Sequence, residues 1–175
     1  MNKNNVNWIY KVFLLTFILS VLFSGASTII TNSFNEIILF ILLLLTIIFG
    51  IIFDMIGVAF LTSEEASLHA RAAQKISGAK EAIALLKNGT KVSSICQDVI
   101  GDICGILSGS LGAVLTLSLI EIFDLPSILT PIIITAIISS LTVGCKAISK
   151  EIASKNSDAI VFTVGKIIHF ISFKK

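Results

Sequence analysis

Long uninterrupted apolar runs dominate the pattern of hydrophobic and polar positions along the chain. Four such runs lie at about residues 8–30, 37–60, 92–122 and 127–148. Each holds roughly the 20 apolar residues that a helix needs to cross a bilayer. Asp124 and Pro126 stand in the turn between the last two runs. The pattern predicts a single membrane domain over residues 1–175 that is all-α and polytopic, with about four transmembrane helices.

The first apolar run has two interpretations. Trp8 and Tyr10 stand at its start, where interfacial aromatic residues flank transmembrane helices. A cleaved signal peptide is the alternative, because basic residues precede the run and small residues occupy positions 24–27. The run resumes at positions 28–30, and its length favours a membrane helix.

Two further segments combine helical apolar spacing with basic residues and are too polar to cross a bilayer. In residues 62–91, Ser63 is predicted as a helix N-cap, Gly78 as a break, and Asn88 with Gly89 as the end. The apolar positions of this segment are Ala66, Ala70, Ala73, Ile76, Ala79, Ile83 and Leu86. Those of the C-terminal tail are Ile160, Val164, Ile167, Ile168 and Ile171. Both segments are expected to form amphipathic juxtamembrane helices on the membrane surface.

Composition and charge placement favour a membrane protein with both ends in the cytoplasm. Hydrophobic residues make up 55% of the chain and charged residues 14%, against about 25% charged in soluble domains. The 13 Lys and Arg residues comprise Lys3 and Lys11, five from Arg71 to Lys91, and six from Lys146 onward. Cytoplasmic loops are enriched in these residues. We therefore expect a multi-pass protein of the plasma membrane with cytoplasmic termini, and no nucleic-acid partner.

Residues that carry catalysis or tight metal binding are sparse. Cys96, Cys104 and Cys145 form no CxxC pair, and they are interpreted as small packing residues rather than a thiolate metal site. His69 and His169 lie on the amphipathic segments without a nucleophile or metal cluster nearby in the sequence. An enzyme is therefore not expected.

Among the ionisable residues within the apolar runs, three are candidates for function: Asp54, Asp102 and Lys146. A charge at the centre of a membrane helix costs roughly 2.5 to 3.5 kcal/mol on insertion scales, so such residues are candidates for function. Each lies one to three turns from the cytoplasmic end of its predicted helix, so all three could meet at a similar depth in one ion cavity. The alternatives are side chains that snorkel to the surface or a structural ion pair.

The third run also carries a stripe of small and polar residues. Its members recur at alternating steps of four and three, which is typical of one helix face: Ser94, Asp98, Gly101, Gly105, Ser108 and Gly112. Small residues let helices approach closely in lipid. The stripe is therefore a packing face or, alternatively, a polar path beside Asp102.

Two stretches of the chain resemble the CNNM transmembrane domain, a family that includes the bacterial CorB and CorC magnesium transport proteins. GAKEAIALLKNGTKVSSICQDVIGDICGI, residues 78–106, is similar to the family's cytoplasmic helix and the membrane helix after it. CKAISKEIASKNSD, residues 145–158, is similar to its Gly-Glu-x-x-Pro-Lys stretch and the following surface helix. The motifs cover roughly residues 50–172. The CNNM-like region is assigned to residues 37–172, with residues 8–30 as an extra N-terminal helix.

The resemblance implies a dimeric membrane domain that binds a dehydrated magnesium ion among three helices and exports it, commonly with sodium as counter-ion. The family's Gly-Asn pair falls on Gly101 and Asp102, and its Ser-Gly-Ser-Glu falls near residues 54–57. The glutamate of that motif is lost, while Asp54 appears one turn away. Lys146 replaces a family glutamate and Ser149 a family proline. The lysine could neutralise the cavity, change the ion that is handled, or move as an internal counter-charge.

The leading hypothesis is a CNNM-like homodimer in the lipid bilayer that acts in divalent cation transport or homeostasis, with magnesium as the transported ion. Its ion cavity is lined by Asp54, Asp102, Lys146, Gly101, Ser94, Asp98 and Ser108, with Asp54 and Asp102 as the metal ligands. No pair of nucleotide-binding CBS domains follows in the sequence, so nucleotide binding is not expected. The alternative is a transport-inactive membrane interaction or regulatory protein with a structural Asp–Lys ion pair, whose basic surface helices bind lipid or a partner.

Overall fold

The computed structural model of the protein describes residues 8, 10–22, 25 and 35–173, in which the regular elements are all helices. They are, in chain order, α1 (Tyr10–Leu22), α2 (Glu36–Thr62), α3 (Glu65–Ala73), α4 (Ala79–Leu86), α5 (Gly89–Ser94), a π-helix (Ile95–Gly101), α6 (Asp102–Phe123), α7 (Leu129–Lys155) and α8 (Ser157–Phe173). These described residues contain no strand, which confirms the predicted all-α class.

Among the residues that the structure describes, three helical stretches are long and apolar enough to cross a bilayer. They are Glu36–Thr62, Gly89–Phe123 and Leu129–Lys155, and they correspond to the second, third and fourth predicted runs. In the first run, the described helix is the shorter Tyr10–Leu22. Positions 9, 23–24 and 26–34 lie outside the described residues. The fourth crossing and the alternative signal peptide therefore stay predictions.

The turn between α6 and α7 lies where the sequence predicts it. Asp124 has a left-handed backbone with φ 49°, a conformation that aspartate tolerates better than most residues. The N–H of Leu125 then donates to the carbonyl of Ile120 at 3.2 Å, which closes the last turn of α6. Pro126 follows and cannot continue a helix. The next helix, α7, runs to Lys155 rather than to the predicted residue 148, because no Gly or Pro stands between residues 145 and 155.

The described residues divide into two compact units. Unit 1 holds the described parts of Met1–Ile51 and Val99–Cys145. Its apolar core joins the first half of α2 to α6 and comprises Leu39, Leu43, Ile47, Leu111 and Leu115. An apolar cavity of about 480 Å³, lined by residues of α2, α6 and α7, lies beside this core.

Unit 2 holds the described parts of Ile52–Asp98 and Lys146–Lys175. Here α4 packs against both α3 and α8. The buried core joins these helices to the ends of α2 and α7 and comprises Ala59, Phe60, Leu68, Ala79, Ala82, Ile83, Ala153, Val161 and Phe162. The two segments that the sequence predicts to be amphipathic therefore bury apolar side chains against each other.

Two glycines allow the close crossing of α4 and α8 in unit 2. Gly78 has a left-handed φ of 88°, and a Cβ at this position would lie 2.7 Å from the backbone of Lys166. A Cβ on Gly165 would lie 2.7 Å from the Cβ of Ala82. Gly78 is the break that the sequence predicts, because a left-handed backbone costs glycine little.

The predicted N-cap at Ser63 is wrong. Helix α3 begins at Glu65, and its capping residue is Glu64, which makes no side-chain cap hydrogen bond. The hydroxyl of Ser63 donates instead to Oδ1 of Asp158 at 2.7 Å. A partner 95 positions away in the chain thus replaces the local cap. Local sequence rules do not detect such a partner.

Candidate functional site

Asp54 is a buried carboxylate in an otherwise apolar stretch of α2. It precedes Thr62, the last residue of α2, by eight positions, or about 12 Å along the helix axis. Its neighbours in sequence are Ile, Phe and Met. Only 4% of its surface is exposed. An ionised carboxylate in such surroundings costs several kcal/mol unless a partner compensates it.

Lys150 of α7 supplies the opposite charge. Its Nζ lies 3.5 Å from Oδ2 of Asp54, and the exposed fractions of the two side chains are 48% and 5%. Within the described residues, Oδ2 of Asp54 accepts no hydrogen bond. Charge-assisted N–H···O bonds are usually about 2.7–2.9 Å long. The pair is therefore held by charge attraction without a short, directional hydrogen bond.

Neutral polar groups lie one helical turn from Asp54. Gly57 follows Asp54 by three positions and so lies on the same side of α2. Gln97 packs against Gly57 so closely that an added Cβ would lie 2.6 Å from its Cγ. The side-chain amide of Gln97 donates to the hydroxyl of Ser93 at 2.6 Å, and Ser93 is buried. This face of unit 2 therefore combines one carboxylate with an amide and a hydroxyl.

The predicted lysine, Lys146, is partly buried one turn before Lys150 on α7. Its backbone carbonyl accepts a hydrogen bond from the hydroxyl of Ser149 at 2.8 Å. In the part of the chain that the structure describes, the salt bridge of Asp54 is with Lys150 and not with Lys146. The structure thus pairs Asp54 with a lysine that the sequence analysis did not single out, and the role of Lys146 in an ion cavity stays a prediction.

Asp102, the other predicted metal ligand, is the first residue of α6, belongs to unit 1 and is exposed. Gly101 before it is buried. In contrast with Asp54, Asp102 is not buried by other residues of the part of the chain that the structure describes. Its assignment as a metal ligand stays a prediction.

The predicted stripe of small and polar residues does not share one environment. Gly101, Ser108 and Gly112 are buried, Ser94 is partly buried, and Asp98 and Gly105 are exposed. Ser94 donates to Oδ2 of Asp98 at 2.7 Å, and Ser108 donates to the carbonyl of Gly105 at 3.0 Å. The π-helix at Ile95–Gly101, with its wider turn, changes the register between Ser94 and the members of the stripe that lie in α6.

Polar contacts that the sequence did not reveal connect the helices of unit 2. Oδ1 of Asp158 accepts hydrogen bonds from the hydroxyl of Ser63 at 2.7 Å and the N–H of Glu64 at 3.2 Å. Hydrogen bonding by the hydroxyl of Ser67, with these two donors, lowers the pKa of Asp158 below its ordinary value. These contacts tie the connection between α2 and α3 to the start of α8.

A second contact joins α4 to α8. Nδ1 of His169 lies 2.7 Å from Oε1 of Glu81, and both side chains are about one-third exposed. The hydrogen bond with His169 is the main cause that lowers the pKa of Glu81. Arg71 and Lys166 both lie over the ring of Phe162, at 4.5 and 4.7 Å from its centroid. The charged residues of these helices thus contribute to packing within unit 2.

No protein-family model, curated protein or solved structure matches the chain. Among the described residues, no group of three or more His, Cys, Asp or Glu side chains could hold a metal ion. What the geometry offers is one buried carboxylate with a lysine as its counter-ion.

Proposed function

We propose that the protein is a CNNM-like membrane protein that acts in divalent cation transport or homeostasis, with magnesium as the ion and Asp54 as its carboxylate ligand. The observation that carries this proposal is the burial of Asp54 within a helix long and apolar enough to cross a bilayer. Ionisable residues at such positions are costly and commonly serve ion pathways. Oδ2 of Asp54 supports the same function, because it accepts no hydrogen bond and a cation that displaces the ammonium of Lys150 would need to break none.

The proposal includes a topology in the plasma membrane. Basic residues flank the cytoplasmic ends in this topology, and Asp124 lies in the turn on the opposite side. A single cysteine introduced at Lys87 or at Asp124, in a cysteine-free background, tests it. A membrane-impermeant thiol reagent added to intact cells should label the cysteine at position 124 and not the one at position 87. The reverse pattern would contradict the proposed orientation.

The proposed homodimer is tested by the mass of the purified protein. In detergent of known micelle mass, light scattering should give twice the chain mass of 18.8 kDa after subtraction of the micelle. Chemical cross-linking in membranes before extraction is the companion measurement. A single-chain mass in both experiments would contradict the dimer.

A transport assay with a matched control tests the role of Asp54. Purified protein is reconstituted into liposomes loaded with a magnesium-sensitive dye, and MgCl₂ is added outside. The wild-type chain should carry magnesium, while Asp54→Asn should reduce the rate at least roughly tenfold, to that of empty liposomes. The control is Glu121→Gln, which removes an exposed carboxylate at the end of α6 and should keep the wild-type rate. Equal rates for Asp54→Asn and wild type would refute the proposal.

The contact between Asp54 and Lys150 favours a second candidate function. In a transport-inactive interaction or regulatory protein, the 3.5 Å pair would be a permanent structural element that neutralises α2. This candidate predicts that neither the wild-type chain nor Lys150→Gln binds magnesium. Calorimetric titration of both proteins with MgCl₂ separates the two functions, because the transport proposal requires binding that depends on Asp54.

A further inference from the structure

The lysine beside Asp54 has the properties of an exchangeable counter-ion. We propose that Lys150 is a tethered cation that competes with the dissolved cation for Asp54, so that ion binding requires its ammonium group to withdraw. The inference rests on the proposed function and adds its regulation. It assigns the role to Lys150, which lies one turn beyond the lysine that the sequence indicated.

The difference in burial between the two partners supports exchange. The Asp54 side chain is 5% exposed and cannot leave its surroundings, whereas the Lys150 side chain is 48% exposed. A lysine ammonium is a compact, strongly hydrated charge on a flexible four-carbon stem. Lys150 precedes the last residue of α7, Lys155, by five positions. Rotation about its side-chain bonds can therefore move the ammonium toward the end of the helix without a change in the backbone of α7.

The length of the contact between Lys150 and Asp54 also supports exchange. At 3.5 Å, Nζ of Lys150 makes no hydrogen bond with Oδ2 of Asp54. The exposed pair on the same helix, Lys155 with Glu151, is much shorter at 2.6 Å. An ammonium that forms no directional bond loses only charge attraction when it leaves. The same attraction is what an incoming cation recovers.

Charge balance explains why exchange, and not joint binding, is expected. One ammonium neutralises one carboxylate, so a magnesium ion entering beside an unmoved Lys150 would add two positive charges to a neutral pair whose carboxylate is buried. Repulsion between the ion and the ammonium is strong in a medium of low dielectric. After the ion leaves, the lysine returns and the carboxylate is not left unpaired. The lysine thereby lowers the affinity for the ion and keeps the empty site neutral.

The size of the effect follows from the fraction of time for which the site is open. Apparent affinity falls in proportion to the fraction of molecules competent to bind, so a site open roughly 1–10% of the time binds about 100- to 10-fold more weakly than an open one. Removing the ammonium should recover this factor. Lys150→Gln is therefore expected to bind magnesium roughly 10- to 100-fold more tightly than wild type.

The test is calorimetric titration with MgCl₂ of the purified full-length protein in detergent. The variants are Lys150→Gln, Asp54→Asn and their double mutant, with Lys155→Gln as the control that removes a lysine from the same helix. Lys150→Gln should bind more tightly, Lys155→Gln should bind as wild type does, and both proteins without Asp54 should lose binding. Unchanged or weaker binding by Lys150→Gln, with binding abolished by Asp54→Asn, would overturn the inference and leave the proposed function standing. Binding that survives Asp54→Asn would overturn the proposed function itself.

A second variant covers the case in which Lys150→Gln does not fold. Arginine keeps the positive charge and can hold a carboxylate through two parallel hydrogen bonds. Lys150→Arg should therefore close the site more firmly and weaken magnesium binding at least roughly threefold relative to wild type. Binding by Lys150→Arg that equals or exceeds that of wild type would count against competition.

Discussion

Removing either partner of the Asp54–Lys150 pair should have unequal effects on stability. Lys150→Gln leaves a buried carboxylate beside a neutral amide, whereas Asp54→Asn leaves a lysine that is already half exposed. The lysine can extend to water and keep its stem in apolar surroundings. We therefore expect Lys150→Gln to be the more destabilising change, although it removes the more exposed residue.

The geometry bounds the magnitude. For unit charges 3.5 Å apart, Coulomb's law gives about 5 kcal/mol at an effective dielectric of 20 and about 1 kcal/mol in water. Removing one partner of a fully buried pair costs about 3–5 kcal/mol. The half-exposed lysine places this pair below that range, so Lys150→Gln should lower the free energy of unfolding by about 2 kcal/mol. Asp54→Asn should cost less than about 1 kcal/mol, because no charge is left buried.

Unfolding can be followed through the chain's own cysteines. Cys96 and Cys104 are buried, so a thiol-reactive fluorogenic dye reports their exposure as the detergent-solubilised protein is heated. Denaturation with sodium dodecyl sulfate then supplies free energies for the wild type, both single mutants and the double mutant. The double mutant should be more stable than Lys150→Gln, since it lacks the unpaired carboxylate. If Asp54→Asn proves as destabilising as Lys150→Gln, the structural reasoning about burial is refuted.

Three other predictions concern packing, acidity and the second carboxylate. Gly165→Ala should destabilise the protein by about 1–3 kcal/mol in the same assay through overpacking. Its control, Gly144→Ala, has nothing within 4 Å of the added Cβ and should be neutral or stabilise the protein by up to about 1 kcal/mol. Equal effects of the two substitutions would contradict the close crossing at Gly165. The lowered pKa of Asp158 means that its contribution to stability is complete above its unfolded pKa and is lost as pH falls through its lower folded pKa. Acidification below about pH 4 should thus lower the melting temperature of wild type. It should lower the melting temperature of Asp158→Asn by less, and identical acid profiles of the two proteins would contradict this. If Asp102 is a ligand, as the sequence predicts, Asp102→Asn should weaken magnesium binding at least roughly tenfold in calorimetry, whereas an unchanged affinity would remove Asp102 from the site.

The helices could be predicted from the sequence because bilayer-length apolar runs are a strong signal over many residues. The second, third and fourth runs each correspond to a long apolar helix, and the breaks at Gly78 and Asp124 lie where turn chemistry places them. The N-cap at Ser63 was wrong because its hydroxyl finds a partner distant in sequence, Asp158. Capping rules consider only the next few residues.

The details of the site were less predictable, for two physical reasons. Lys146 and Lys150 are four positions apart and share one face of α7, so their spacing alone does not decide which ammonium lies within 4 Å of a given carboxylate. The stripe along the third run assumes an uninterrupted α-helix, and the π-helix at Ile95–Gly101 changes its register. Nothing in the local sequence marks that π-helix. The buried carboxylate, Asp54, was found because a charge in a long apolar run stands out.

Stability and ion binding should be coupled through the same pair of residues. An apolar helix that carries Asp54 is easier to place in a membrane when a lysine neutralises it, yet that lysine occupies the position that a cation needs. Lys150→Gln should therefore be less stable than wild type without magnesium and gain more from magnesium addition. A ligand at ten times its dissociation constant adds about 1.4 kcal/mol to stability. A magnesium concentration that saturates Lys150→Gln but not wild type should therefore reduce the difference between the melting temperatures of the two proteins. A merely structural ion pair has no reason to respond to magnesium, so the size of this rescue separates a tethered competitor from a permanent salt bridge.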